Sequence, residues 1–287
     1  MTHSIETDLI NDIVNRAILE DCGQYGDITS NAIFDAQTQA NALIRSKGTG
    51  ILSGSYLLKP VFNAIDPALD VAILVQDGQQ IVPGTRICTL HGATRSILSG
   101  ERLALNFLQH LSGIASATAS LVRLIAHTHA KLLDTRKTTP TLRFFEKRAV
   151  VDGGGVNHRF GLFDMILIKD THVKAAGGVT AALLKAQASD AVKKRHVKIE
   201  VEVQSWNEFL EAAAQTPNRI MLDNMDIPAM TACAAWVRDK QLPIELEASG
   251  NISASTITAV AESGVDYISV GAITHSVEAL DIHLVIE

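Results

Sequence analysis

Apolar residues recur at two different periods along this chain, and the change of period divides it. Between residues 5 and 22 they fall at Ile5, Leu9, Ile10, Ile13, Val14, Ala17 and Ile18, the spacing of an amphipathic helix. From about 38 to 92 the stretches QANALIRSKGTGILSG and DVAILVQDGQQIVPGTRICTLHG, broken by glycines, predict short strands and hairpin turns. SILSGERLALNFLQHLSGIASATASLVRLIAHTH then predicts a long helical region with a break near Ser112–Gly113. This part reads as a small α+β domain followed by a connecting helix.

After residue 130 six strand-like runs appear: AKLLDT, MILIKD, VKIEVEV, RIMLDN, PIELEAS and YISVGA. Helical patterns separate them, among them TLRFFEKRAVV, GVTAALLKAQASDAVKKR, WNEFLEAAAQ, IPAMTACAAWVRD and SASTITAVAESG. Strands alternating with helices predict right-handed crossovers and a parallel sheet, two strands short of a complete eight-stranded barrel. Each run ends in charged or small polar residues: Asp134 to Lys137, Lys169-Asp170, Glu200 and Glu202, Asp223-Asn224, Glu247 with Ser249 to Asn251, and Ser269 with Gly271. Convergence of all six ends on one face favours a barrel-like closure, because an open sheet would bring together only the ends at its switch point.

Composition narrows the class. The chain has 287 residues, 47% hydrophobic and 20% charged, which is globular and ordered. A formal net charge of −6 argues against nucleic-acid binding by a basic surface. The three cysteines, Cys22, Cys88 and Cys233, are far apart and form no CxxC pair, so neither a zinc site nor a disulfide framework is expected. The opening MTHSIETDLINDIV lacks a signal-peptide core and no apolar run reaches the length of a membrane span. The expectation is a soluble cytoplasmic protein.

Against that acidic background, local positive charge is informative. Arg136 and Lys137 follow the first barrel strand in LDTRKTTP, His158 and Arg159 lie in GGGVNHRFG, and Lys169 ends the second strand. Arg binds carboxylates or phosphates in a bidentate fork and Lys acts as a point charge, so this mouth suits a ligand with two or more anionic groups. Arg143, Lys147 and Arg148 on the first helix are read as solvated surface charge. His158 is either a structurally satisfied histidine or a charged ligand contact. The GGG at 153–155 follows a helix and lacks dinucleotide-fingerprint spacing.

Glu202 and Asp223, on consecutive strands, place carboxylates near the same mouth, with Glu200 on the same side as Glu202. They would repel an anion unless a cation lay between, and Mg²⁺ is the usual bridge. The ordinary alternative is that Glu200 or Glu202 pairs with a neighbouring Lys or Arg inside the barrel. The turns ASGNIS and SVGAITHS suit a phosphate cradle, although ordinary strand-to-helix turns use the same residues. Together these features describe an enzyme joining a polycarboxylate to a phosphorylated, Mg²⁺-bound donor.

LDTRKTTP, GGGVNHRFGLFDMILIKDTH, IEVEV, MLDNM, EASGNI, ISVGAITHS and GERLALNFLQ closely resemble the quinolinate phosphoribosyltransferase family over nearly the whole chain. The resemblance implies an N-terminal α/β sandwich over 1–112, joined by the tail from about 275 to 287, and an incomplete six-stranded α/β barrel over 113–274. It implies transfer from phosphoribosyl pyrophosphate to quinolinate with loss of CO₂, in NAD synthesis. Thr135, Arg136, His158, Arg159 and Lys169 would hold the quinolinate carboxylates. Arg102 would reach the site from the partner subunit of a homodimer, or of a hexamer built from dimers. Lys137 would lie against the donor phosphates and, with Glu202 and Asp223, form the catalytic set. Glu202 and Asp223 would bind ribose and Mg²⁺, while Ser249, Gly250 and Asn251 with Val270, Gly271 and Ala272 would cradle the 5′-phosphate. Decarboxylation is expected to follow alkylation of the ring nitrogen.

Two residues depart from the family pattern: Thr141 stands where glycine often follows RKTTP, and Thr171 where Asn is frequent. Three rival readings remain. They are a divergent pyrophosphorylase-like branch linked to molybdate transport, a barrel aldolase with a Lys169 Schiff base, and a catalytically silent binding protein.

Overall fold

The computed structural model describes residues 3–287, which divide into two compact units. One comprises 3–117, 151–153 and 277–287; the other comprises 118–150 and 154–276. In the first unit lie α1 (His3–Cys22), α2 (Ile28–Ile33), β1 (Gln39–Ser46), β2 (Gly50–Ile51), α3 (Leu58–Ile65), β3 (Asp70–Ile73), β4 (Gln80–Ile81) and β5 (Arg86–Ala93). Helix α4 (Thr94–Ile125) runs from this unit into the second.

Strands β1, β3 and β5 pair antiparallel, and the C-terminal strand β12 (Ile282–Ile286) returns to complete a sheet ordered β12-β1-β5-β3. Alternation puts Ala42 and Ile44 of β1 into a core shared with Val14 of α1, Phe62 of α3 and Leu105 and Leu108 of α4. The result is an α/β sandwich. The region 38–92 is not only strands, because α3 interrupts it. Its Pro60 falls in the first turn, where a missing N–H costs no helical bond, and the strand pattern on either side hid it.

The expected break near Ser112–Gly113 is absent: α4 is continuous through both residues. Gly113 serves a different purpose there. The carbonyl of Glu278 packs directly over it, inside the space a Cβ would fill, so this glycine permits a close approach rather than ending the helix.

The second unit contains β6 (Lys131–Leu133), α5 (Arg143–Asp152), β7 (Ile166–Ile168), α6 (Asp170–Ala176), α7 (Val179–Ala188), α8 (Asp190–Arg195) and β8 (Ile199–Val203). It continues with α9 (Trp206–Ala214), β9 (Arg219–Asp223), α10 (Ile227–Asp239), β10 (Glu245–Ser249), α11 (Ile257–Glu262), β11 (Tyr267–Ser269) and α12 (Ala272–His275). All six strands are parallel, ordered β6-β11-β10-β9-β8-β7. Strands β6 and β7, neighbours in sequence, stand at opposite ends of that order and are not paired with each other. Beside β6 the chain supplies a substitute: Val156 donates to Leu132 O and accepts from Asp134 N, a one-residue parallel bridge.

The period-two alternation of the strands sorts side chains between helices and barrel interior. Ile199, Val201 and Val203 of β8 and Ile220 and Leu222 of β9 are buried on the outer face. Glu200 and Glu202, Arg219, Met221 and Asp223, and Glu245, Glu247 and Ser249 take the other face. Register stacks them in layers: Glu200 and Glu245 opposite Arg219, Glu202 and Glu247 opposite Met221, and Ser249 opposite Asp223 at the strand ends. An unusual share of this interior is therefore carboxylate rather than aliphatic.

Candidate active site

A cavity of about 660 Å³ opens at the C-terminal ends of the barrel strands, and all the residues lining it belong to the second unit. Thr135, Arg136 and Lys137 reach it from the turn after β6, His158 and Arg159 from the loop before β7, and Lys169 from the end of β7. Glu202 and Asp223 project from β8 and β9. Ser249, Gly250 and Asn251 follow β10, and Val270, Gly271 and Ala272 follow β11. Arg102, exposed on α4 in the other unit, is not among the lining residues.

The basic side of the cavity holds uncompensated charge. The Nε atoms of both Arg136 and Arg159 are buried without a hydrogen-bond partner. Burial, and then the like charge of Arg136, lowers the proton affinity of Arg159. One Arg159 amine donates to Met165 O at 3.0 Å. Two guanidinium groups in this state call for an anion. Lys137 runs alongside Gly271, where an added Cβ would come within 2.9 Å of its Cδ. Its carbonyl accepts from Thr274 Oγ1, which ties the turn after β6 to α12.

The acidic side fits a hard cation. Lys169 Nζ lies 3.6 Å from Glu202 Oε1, the pairing with a neighbouring cation considered from sequence. Burial pushes the Glu202 carboxyl above its ordinary value, Lys169 opposes this, and the charge of Asp223 adds to it. Asp223 Oδ2 accepts from Gln204 at 3.2 Å and from Asn224 at 3.0 Å. Two mutually repelling, oriented carboxylates at one mouth form an oxygen donor set suited to Mg²⁺.

Three further lining residues carry chemistry that the sequence reading left unassigned: Asn224, Glu247 and His275. Asn224 adopts a left-handed φ of 53°, and its Oδ1 accepts from Asn251 Nδ2 at 3.1 Å. Gly250, at φ 97°, must lack a Cβ because Asn224 fills that space. The quoted motifs held the signals. Asn224 follows Asp223 directly, His275 lies one helical turn after Gly271, and Glu247 alternates with Ser249.

Reading α5's basic residues as surface charge requires correction. Lys147 is buried and pairs with the fully buried Asp134 at 2.5 Å. Arg143 bonds Thr138 Oγ1 at 2.9 Å and Phe160 O at 3.1 Å. Both brace the turn after β6 against the loop carrying His158, and spacing along one helix does not reveal partners on other segments. Asp134 therefore lies beneath the mouth as an anchor and is not among the cavity's lining residues.

Beneath the mouth, His158 Nε2 lies 3.0 Å from Glu200 Oε2 and 3.5 Å from Glu247 Oε2. Arg219 donates to Glu247 at 2.9 Å and to Glu245 at 3.1 Å, and its guanidinium stacks 3.9 Å over the Tyr267 ring. Burial opposes charge on the His158 ring and the two carboxylates favour it, but the Arg159 N–H donated to Nδ1 occupies the lone pair that a second ring proton would need, so the ring keeps a single proton, on Nε2. Burial and the charge of Glu247 push Glu200 upward. Burial works against ionised Glu247, but His158 and Arg219 outweigh it and hold that carboxyl below its ordinary value. These groups titrate together.

The comparisons with known proteins agree with this architecture. Residues 27–112 match the family model for the quinolinate phosphoribosyl transferase N-terminal domain, and residues 114–285 match that for its C-terminal domain. A chloroplastic nicotinate-nucleotide pyrophosphorylase (carboxylating) of Oryza sativa is 40% identical over 287 residues, covering 96% of this chain and 77% of the relative. A Bacillus subtilis protein named for the same activity is 41% identical over 272 residues, covering 95% and 91%. The solved nicotinate-nucleotide pyrophosphorylase of Francisella tularensis superposes with a TM-score of 0.91 at 39% identity, covering 98% of this chain and 96% of that one.

One outcome is expected. Thr141 adopts a φ of 71°, a region disfavoured for a β-branched residue. Thr141→Gly should raise unfolding free energy by about 1 kcal/mol in urea titrations, the relieved left-handed strain exceeding the added chain entropy. Two domain models that together span most of the chain, and relatives near 40% identical over nearly all of it, show that this chain belongs to the quinolinate phosphoribosyltransferase family.

Proposed function

We propose that this enzyme transfers the phosphoribosyl group of phosphoribosyl pyrophosphate to the ring nitrogen of quinolinate, with loss of CO₂. The products are nicotinate mononucleotide and pyrophosphate, and the step belongs to NAD biosynthesis. The observation that carries the reading is the pair of guanidinium groups of Arg136 and Arg159, each with a buried, unpartnered Nε, facing one cavity. A pyridine dicarboxylate offers the two adjacent anionic groups such a pair calls for. In this reading Thr135, Arg136, Arg159 and Lys169 hold the carboxylates, with His158 beside them.

The donor occupies the other side. Ser249 to Asn251 and Val270 to Ala272 cradle its 5′-phosphate, and Gly250 and Gly271 let the backbone come close. Glu202 and Asp223 bind the ribose and Mg²⁺. The ion, when bound, offsets negative charge on the departing pyrophosphate. Lys137, lying along the cradle, adds a fixed positive charge to the same leaving group. Arg136 and Arg159 hold the acceptor so that its ring nitrogen faces the ribose carbon, an arrangement that removes most of the entropic cost of the encounter. The nitrogen–carbon bond forms as the carbon–oxygen bond to pyrophosphate breaks. The cationic ring nitrogen then accepts the electron pair released when the bond to the 2-carboxylate breaks, and a proton takes the vacated position.

The reading also includes a homodimer in which Arg102 completes the partner's site, and a cytoplasmic setting. The three free cysteines, two of them buried, fit a reducing compartment. No helix among the described residues is long and apolar enough to cross a membrane.

Purified protein given quinolinate, phosphoribosyl pyrophosphate and Mg²⁺ should release nicotinate mononucleotide and CO₂ in equal amounts. Arg136→Ala or chelation of Mg²⁺ should abolish both; no product from well-folded protein would overturn the assignment. Mixing inactive Arg102→Ala and Arg136→Ala chains should restore about a quarter of native activity, since half the dimers are hybrids and each hybrid has one intact site. An inactive mixture of exchanging chains would remove Arg102 from the partner's site.

A further inference from the structure

The loop carrying His158 is clamped at four points. Its backbone N–H donates to Asp134 Oδ1 at 2.8 Å, and its carbonyl accepts from Lys147 Nζ at 3.1 Å. Its Nε2 faces the buried carboxylates of Glu200 and Glu247. Its Nδ1 accepts the backbone N–H of Arg159 at 2.7 Å. That last bond uses the lone pair of Nδ1, because two N–H groups cannot face each other at this distance. The ring proton therefore resides on Nε2 and points into the barrel. Nδ1 is engaged by the Arg159 N–H, and Nε2, close to two buried carboxylates although not aligned for a hydrogen bond, aims its proton into the barrel rather than at the cavity.

We infer that His158 is a positioning residue rather than a substrate contact, and that Glu247, acting through it, fixes Arg159 in the acceptor pocket. The relay runs from Arg219, which holds Glu247 at 2.9 Å, through the imidazole to the Arg159 backbone. Glu200 is the closer carboxylate to Nε2 and supports the ring from β8. The middle of the relay, the Glu247 carboxylate and the His158 ring, is buried, so its geometry is set by the barrel and not by solvent. What the relay delivers is the guanidinium of Arg159, whose Nε is buried without a partner. The role rests on the acceptor being a dicarboxylate held by Arg136 and Arg159.

The test compares kcat and both KM values for the native protein, Glu247→Gln, His158→Gln and the double variant, with folding checked by circular dichroism. Glu247→Gln is expected to raise KM for quinolinate roughly tenfold, because a small misplacement of a binding group is felt strongly. kcat and KM for phosphoribosyl pyrophosphate should stay within about twofold. The double variant should be no worse than His158→Gln alone, since both act through one path. An additive double variant, or a quinolinate KM unchanged in Glu247→Gln, would overturn the inference. Histidine ¹⁵N spectra of the native full chain give a second measurement that needs no activity. They should show His158 with an unprotonated Nδ1 and a protonated Nε2, and a ring protonated on both nitrogens would overturn the relay. Native protein that turns over no quinolinate, yet shows this ring state, would refute the substrate assignment while leaving the relay's geometry intact.

Discussion

Two fully buried carboxylates, Glu200 and Glu247, lie inside the barrel, and the arrangement of the mouth above them follows from the need to compensate their charge. An uncompensated ion at such a site costs several kcal/mol. Arg219 meets this need from β9 and His158 from outside the sheet. His158 can do so because the barrel is incomplete. Between β6 and β7 there is no paired strand, and the segment from Val156 to His158 runs beside β6 instead. The missing strands are thus what admits a loop, with an imidazole N–H at its end, into the barrel interior.

This compensation also decides which charges remain for a ligand. The interior acids are matched within the protein by His158 and Arg219, so Arg136 and Arg159 above them face the cavity without carboxylate partners of their own. Glu202 and Asp223 have the opposite problem, since Lys169 at 3.6 Å is the main cation offsetting Glu202. A single cavity thereby separates into a region short of anions and a region short of cations. A dicarboxylate acceptor answers the first shortage, and the Mg²⁺ proposed to accompany the pyrophosphate donor would answer the second.

The fold was legible where a signal was local. All six barrel strands sat where short apolar runs ended in polar residues, and α10 occupies the same residues as its helical pattern. Signals whose meaning depended on distant chain were misread. Gly113 looked like a helix break because its use, admitting the Glu278 carbonyl, involves a residue far along the sequence. Lys147 looked solvated because Asp134 is its partner across the fold, not along its helix. The lining residues were legible through strand-end placement, yet the division of labour among them was not. Whether His158 binds or positions depends on which atoms meet its two nitrogens, and no spacing encodes that.

The two departures from the family pattern show the same distinction at the scale of single residues. Thr171 lies exposed in the first turn of α6 and is not among the residues lining the cavity, so its methyl and hydroxyl replace an amide with little consequence there. Thr141 is different because the backbone, not the side chain, sets the requirement. At φ 71° a glycine is unstrained, whereas a β-branched residue crowds the preceding carbonyl. Asn224 and Asn251 also sit in the left-handed region, but asparagine tolerates it, and their amides bond each other at 3.1 Å. Strain at those two positions is coupled to the geometry of Asp223 and the phosphate cradle. At Thr141 it lies two residues before Arg143, whose bonds to Thr138 and Phe160 hold the two arginine-bearing segments together. The substitution therefore acts on the bracing of the site and leaves its chemistry unaltered.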